Sequence, residues 1–204
     1  MRQVWKRNTG HILMRRLILA SASPRRRQIL KDFGVKYRVA RHAVDEDRLE
    51  RKLGKKSIYA VACGLALAKA ESAAAKLKKG IVLGADTIVV LKGRLKGKPS
   101  SKAGAVKMLS QLSSHTHRVI TGFALIDAAT GRVIVDYEET KVTFKKIGTA
   151  WIKEYVKKNN VMDKAGAYAV QENSDPFIKS IKGSYYNVVG LPVEKVLEHL
   201  KKYF

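Results

Sequence analysis

Apolar and polar positions along this chain change period from block to block, and the changes mark its elements. The run Arg15-Arg16-Leu17-Ile18-Leu19-Ala20 is strand-like. Ser23-Pro24 then supplies an N-cap and first turn for a helix to about Phe33, since proline suits the first helical position and Gly34 stops the helix. Val35 to Ala40 predicts a second strand, followed by a charged loop containing Asp45-Glu46-Asp47; Ser57 next caps an alanine-rich helix to about Leu77. Ile81 to Leu91 is apolar enough for a buried central strand, interrupted at Gly84-Ala85-Asp86-Thr87. Lys92-Gly93 predicts a turn and Ser101 to Leu112 a helix, while His117 to Asp127 and Arg132 to Lys145 form two long strands joined at Ala128-Ala129-Thr130-Gly131. Thr149 caps a helix to about Asn159, short strands fit Ala167 to Val170 and Phe177 to Ile181, and Pro192 starts a terminal helix ending near Tyr203. Helices alternate with strands and some strands are hairpin-connected. The expected class is therefore α/β, with a mixed central sheet flanked by helices.

Length and composition narrow the class further. A chain of 204 residues buries one sizeable core or splits into two lobes that share a sheet. Hydrophobic residues are 46% of the chain and spread along it, so no long segment has the composition of disorder. Residues 1–13 lack clear periodicity and read as a basic extension, with translation starting at Met1 or Met14 and residues 14–204 forming one domain. No apolar stretch approaches the roughly 20 residues that cross a bilayer, so no membrane partner is expected. The basic start lacks the apolar core of a secretory signal and Cys63 is the sole cysteine, which points to the cytoplasm. Lysine and arginine total 41 against 17 acidic residues, for a net charge of +24, so the surface attracts polyanions. The basic residues are scattered rather than gathered in a tail, which makes nucleic acid a weak secondary partner rather than the principal one.

Several residues carry candidate chemistry. Ser21-Ala22-Ser23-Pro24-Arg25-Arg26-Arg27 lies at a strand-to-helix junction, where backbone N–H groups and the helix dipole bind anions and where hydroxyls and arginines add donors. The same stretch also reads as a capped helix with solvated arginines. Asp86 is a carboxylate inside an apolar strand and needs a cation, a proton or a lysine beside it; a structural aspartate bonding backbone amides at a bulge is the other reading. Lys69 stands 11 residues after Ile58, which at 100° per residue returns it to the face carrying Val61, Ala62 and Leu65. A lysine there either snorkels outward or reaches a buried anion. Lys98 before Pro99 is by itself a surface lysine, and Asp45-Glu46-Asp47 is a solvated acidic loop or a source of a second carboxylate for a metal. Gln171 has an amide able to donate to and accept from a nucleobase edge. His115 and His117 share a strand face but have no third ligand at zinc spacing, and Cys63 is a small core residue.

As an ordered series these pieces resemble the Maf family of nucleotide pyrophosphatases from Leu17 to about Leu200. The series runs Leu-Ala-Ser-Ala-Ser-Pro-Arg-Arg at 19–26, Asp45-Glu46, Leu67-Ala68-Lys69-Ala70, Leu83-Gly84-Ala85-Asp86-Thr87 and Gly97-Lys98-Pro99. It ends with Asp163-Lys164-Ala165-Gly166-Ala167-Tyr168, Gln171 and Gly183 through Asn187-Val188-Val189-Gly190-Leu191-Pro192. The resemblance implies a fold like that of inosine triphosphatases, two lobes with a nucleotide cleft, and hydrolysis of a nucleoside triphosphate to monophosphate and pyrophosphate. It implies that Asp86 accepts the proton of the attacking water, that Ser21, Ser23, Arg26, Lys69 and Lys98 bind substrate, and that Glu46 joins Asp86 around a divalent cation, Mg²⁺ or Mn²⁺. Arg25, Thr87 and Gln171 match the branch acting on dTTP and UTP; the branch acting on 7-methyl-GTP has tryptophan, glutamine and glutamate there. A nucleoside triphosphate is then the principal partner, with a homodimer as a further expectation. Two features depart from the family pattern: Ser113-Ser114 stand where relatives have a glycine before the histidine, and the positive charge is large. The rival classes are a nucleic-acid-binding protein without turnover and a cell-division regulator acting through partner contacts.

Overall fold

The computed structural model describes residues 17–54, 56–170 and 177–204. Its strands are β1 (Leu17–Leu19), β2 (Tyr37–Val39), β3 (Ile81–Leu91), β4 (Arg94–Lys96), β5 (Thr116–Asp127), β6 (Val133–Phe144) and β7 (Ile178–Lys182). Its helices are α1 (Pro24–Asp32), α2 (Glu46–Leu53), α3 (Ile58–Ala74), α4 (Lys102–Leu112), α5 (Thr149–Lys158), α6 (Tyr185–Val189) and α7 (Val193–Tyr203). The sheet order is β2-β1-β3-β5-β6-β7, with β4 paired to β3. Strand β1 pairs parallel with β2 and β3, whereas β3–β4 and β6–β7 are antiparallel, so the sheet is mixed as expected. The Met14 and Gln171 positions, with the whole of residues 1–13, lie outside the described residues.

The chain divides into two compact units. The first holds the chain up to Asp86, Thr121–Glu138 and Gly190–Phe204; the second holds Thr87–Ile120 and Glu139–Val189. In the first, α3 lies on the sheet through Ala70 and Ala73, which join Ile18, Ala20, Val82, Ala124 and Ile126 in one core cluster. Two glycines set how closely it lies. A Cβ on Gly84 would stand 2.2 Å from the Ala66 carbonyl oxygen, and one on Gly122 would stand 2.5 Å from that of Ala62. Both contacts are to backbone, which cannot rotate away, so small residues are obligatory at the crossing. The second unit has its own core, with Leu109 of α4, Tyr155 of α5, Val142 and Phe144 of β6, and Tyr168 and Phe177.

Four expectations need correction. Strand β3 runs unbroken through Gly84-Ala85-Asp86-Thr87, because Gly84 is a seat for α3 and not a breaker. The Asp45-Glu46-Asp47 loop is the start of α2: Asp45 Oδ1 accepts from Arg48 N at 3.0 Å, acids fill the first turn and Arg51 and Lys52 the last, which suits the helix dipole. The α5 N-cap is Gly148, with Thr149 already inside the helix. Ala167–Val170 is not a strand; Ala165–Ala167 forms a 3₁₀ turn in which Gly166 has φ 75° and Ala167 φ 62°, values incompatible with extended pairing. The Lys92-Gly93 turn is correctly placed, but it closes a hairpin onto β4, with positive φ at both residues as a type I′ turn requires.

Candidate active site

The first unit gathers most of the residues singled out above. Helix α1 begins where β1 ends, and Ser23 caps it by accepting from Arg26 N at 3.5 Å. The buried Ser21 hydroxyl oxygen accepts from Ser23 N at 3.2 Å and from Arg26 Nη1 at 3.1 Å. Arg26 Nε donates to the Gly190 carbonyl at 2.8 Å, tying the start of α1 to the turn before α7. Gly190 holds φ 128°, a value that favours glycine. The guanidinium is thereby aimed by two partners far apart in sequence. Burial pulls the Arg26 guanidinium below its ordinary value, opposed by the carboxylates of Asp86 and Glu46.

Lys69 settles its two readings: it is 3% exposed and reaches a buried anion. Its Nζ donates to Asp86 Oδ1 at 2.7 Å and lies 3.0 Å from Glu46 Oε1. Asp86 is 9% exposed, and Glu46 sits in the first turn of α2 with its side chain about a third open to solvent. Three elements therefore bring two carboxylates onto one ammonium. Helix α3 carries Lys69 on its buried face between Ala66 and Ala70, the residues that meet Gly84, so the glycine that seats the helix also places the amine. Lysine has three donors and no acceptor, and two carboxylates give it two charge-assisted bonds in a setting where one alone would leave it poorly paired.

The sequence did not single out His42. Its Nε2 lies 3.9 Å from Glu46 Oε1, and burial followed by the positive charge of Lys69 lowers its pKa. No spacing rule marks it, because it belongs to the irregular segment between β2 and α2. The Gly190 carbonyl lay within the quoted Gly190-Leu191-Pro192 series, but a carbonyl oxygen leaves no signature in a side-chain pattern.

Arg25 lies on α1 next to Arg26 and is half-buried. Thr87 on β3 and the exposed Lys98 in the loop after β4 belong to the second unit, and Gln171 is outside the described residues. His115 precedes β5 and its Nδ1 contacts the Ser113 carbonyl oxygen at 2.8 Å, whereas His117 is buried with its Nε2 2.7 Å from the Tyr168 hydroxyl. Among the described residues no three His, Cys, Asp or Glu side chains gather as a metal site by themselves. Cys63 is partly buried in α3 and its thiol lies 3.7 Å from the Asp136 carbonyl oxygen; burial raises its pKa, which suits an unreactive thiol. Among the described residues no helix is long and apolar enough to cross a membrane.

Comparison with known proteins gives this geometry its family. A curated dTTP/UTP pyrophosphatase of Desulforamulus reducens is 44% identical over 190 residues, covering 93% of this chain and 97% of that protein. Another of the same name, from Pelotomaculum thermopropionicum, is 43% identical with the same coverage. Among solved structures, a nucleoside-triphosphatase / dITP/XTP pyrophosphatase from Mycobacterium abscessus is 15% identical with a TM-score of 0.43, covering 90% of this chain and 93% of that one. The family model described as Maf-like protein matches residues 16–203. With that match spanning nearly the entire chain, and with relatives above 40% identity over more than nine-tenths of it, the chain belongs to the Maf family.

Proposed function

We propose that this protein is a nucleoside triphosphate pyrophosphatase that hydrolyses dTTP and UTP to the monophosphate and pyrophosphate. The observation that carries the reading is the buried ammonium of Lys69, held 2.7 Å from Asp86 and 3.0 Å from Glu46 in a chain whose relatives are named for that activity. In this reading Asp86 orients a water and takes its proton as the water attacks the α-phosphorus. Arg26, Lys69 and Lys98 hold the phosphates and offset the charge that grows on departing pyrophosphate, with no phosphoenzyme formed. Ser21 and Ser23, at the N-terminus of α1, complete an anion seat together with that helix's dipole. Arg25, Thr87 and Gln171 select the pyrimidine base.

The donor set suits a divalent cation, Mg²⁺ or Mn²⁺. The Asp86 and Glu46 carboxylates are hard oxygen ligands that both contact the Lys69 ammonium, and such cations are held by one or two carboxylates together with substrate phosphates. Bound there, the cation would supply Lewis-acid neutralisation of phosphate-oxygen charge. A cytoplasmic setting, in which the single cysteine stays reduced, goes with this reading.

The test is pyrophosphate release across a nucleotide panel with Mg²⁺ or Mn²⁺, in the wild type and in Asp86→Asn. The wild type is expected to prefer dTTP and UTP, and the variant to lose at least about a hundredfold in kcat while still binding nucleotide. Near-normal turnover by the variant, or no pyrophosphate from any nucleotide with the wild type, overturns the reading.

A further inference from the structure

The second unit holds a stretch of strained backbone that the mechanism above leaves unused. In the turn from Lys164 to Ala167, the Ala167 N–H donates to the Lys164 carbonyl at 3.1 Å. Gly166 has φ 75° and ψ 2°, the values that the third residue of a type II turn takes, and they suit glycine. Ala167 then holds φ 62°, where a Cβ is crowded by the following carbonyl, so the turn persists only because its surroundings fix it. Those fixings are on both sides. Lys164 is 3% exposed; its Nζ donates to the Asn160 carbonyl just beyond α5 and contacts Asp163 Oδ1 at 3.0 Å. The Tyr168 hydroxyl lies 2.7 Å from Nε2 of His117 on β5, and the Ala169 N–H donates to the Tyr155 hydroxyl of α5 at 3.4 Å.

What this pinned turn holds in place is the loop between β4 and α4. The Gly166 N–H donates to the Gly97 carbonyl at 3.2 Å. That oxygen belongs to the peptide unit joining Gly97 to Lys98, and a peptide unit is planar, so fixing its oxygen fixes the plane from which the Lys98 Cα departs. The rest of the loop is fixed at its ends. Lys96 pairs with Val89 on β3, Pro99 is buried, and Ser101 caps α4 by accepting from Gly104 N at 3.0 Å. Lys98 itself is exposed between them. Gly166 also lies directly on this hairpin: a Cβ there would stand 3.1 Å from Val89 Cγ2 and 3.2 Å from the Tyr168 ring. Only glycine both takes the positive φ and leaves room for the close approach that makes the bond to Gly97.

We propose that Gly166 is a positioning residue for nucleotide hydrolysis: through the Gly97 carbonyl it orients the peptide that carries Lys98, and so sets where that ammonium meets phosphate. The inference rests on the pyrophosphatase reading, in which Lys98 holds substrate. The lysine stem is flexible, and its reach is useful only if its root is held; the strained turn supplies that hold from outside the loop.

The experiment measures UTP turnover by full-length wild type, Gly166→Ala, Lys98→Met and the double variant, at a temperature where thermal melts show all four folded. Gly166→Ala is expected to lose about tenfold or more in kcat/KM, but less than about twofold further in the Lys98→Met background, where the ammonium to be placed is gone. A residue that merely supports the fold costs the same factor in both backgrounds. Should Gly166→Ala not fold, Tyr168→Phe takes its place in the same cycle, since it keeps the ring but releases the turn from His117. Amide exchange at Gly166, followed by NMR, reads the bond to Gly97 without any turnover and is expected to be slowed about a hundredfold or more in wild type. With wild type releasing pyrophosphate from UTP, four results overturn the inference and leave the pyrophosphatase reading standing: equal losses in the two backgrounds, undiminished kcat/KM in Gly166→Ala, undiminished kcat/KM in Lys98→Met, or an unprotected Gly166 amide. A wild type that releases no pyrophosphate from any nucleotide overturns that reading and this inference with it.

Discussion

Replacing Lys69 by methionine tests the electrostatics of the site more sharply than replacing either acid. Methionine preserves the length and packing of the stem on α3 but removes the ammonium that both Asp86 and Glu46 contact. Removing one partner of a buried ion pair costs about 3–5 kcal/mol, because the remaining charge stays buried without compensation. Glu46 is about a third exposed and partly screened by water, so the low end, about 3 kcal/mol, applies. For a chain of this length that corresponds to a fall in Tm of about 6–12 °C. Asp86→Asn should cost about 1.5 kcal/mol, since Lys69 keeps Glu46 as a partner and only one charge-assisted bond is weakened. The double variant Lys69→Met/Asp86→Asn should then melt above Lys69→Met alone, because the stranded carboxylate is gone. Calorimetric melts of the four proteins in chelator and low salt measure all three differences. A Lys69→Met protein melting within about 2 °C of wild type, or a double variant less stable than Lys69→Met, would refute the account.

Two further outcomes follow from the packing. Gly84→Ala places a Cβ 2.2 Å from the Ala66 carbonyl oxygen, so α3 must shift; thermal melts should show a loss of about 3 kcal/mol or more and UTP turnover should fall with it, and an alanine variant of wild-type stability and rate would contradict the seat. In the second unit, burial pushes His117 from 6.5 down to about 4, so between those values the unfolded chain binds more protons than the folded one. Stability from the neutral ring is whole above about pH 6.5 and about 3 kcal/mol of it is lost as pH falls towards 4; urea melts of His117→Gln should lack this dependence, and parallel pH curves for the two proteins would refute it.

The first unit's chemistry was legible in the sequence to the extent that it obeyed a period or broke one. Lys69 could be placed on the buried stripe of α3 by arithmetic alone, and Asp86 stood out because an apolar strand gives a carboxylate nothing to bind. Position does not name a partner, however, and nothing local said that the two would meet. The α2 helix was missed because it buries none of its residues; its acids look solvated, and its start is marked only by the Asp45 cap. Strand β4 is three residues long and owes its state to β3 across the turn, a contact invisible in Arg94-Leu95-Lys96. The run Ala167–Val170 was read as a strand because it is apolar; it is buried, but burial does not specify extension when Gly166 and Ala167 take positive φ. Gly84 was read as an interruption because local propensity sees lost side-chain packing and not the helix that replaces it.

The charge balance of the site explains why its parts come from so many elements. Arg26 and Lys69 contribute two positive charges and Asp86 and Glu46 two negative ones, so the group is neutral when nothing is bound, as a mostly buried cluster must nearly be. A triphosphate adds several negative charges to that neutral group. On the proposed reading the extra positive charge must come from outside the four, from Arg25 of α1 and a divalent cation among others. On the same proposed reading Lys69 has two partners in turn: the carboxylates in the resting protein and phosphate oxygens in the complex. A lysine whose three donors sit on a flexible stem can exchange one set of anions for the other by small rotations, whereas the planar fork of Arg26, already bound to Ser21 and Gly190, is fitted to stay in place and orient.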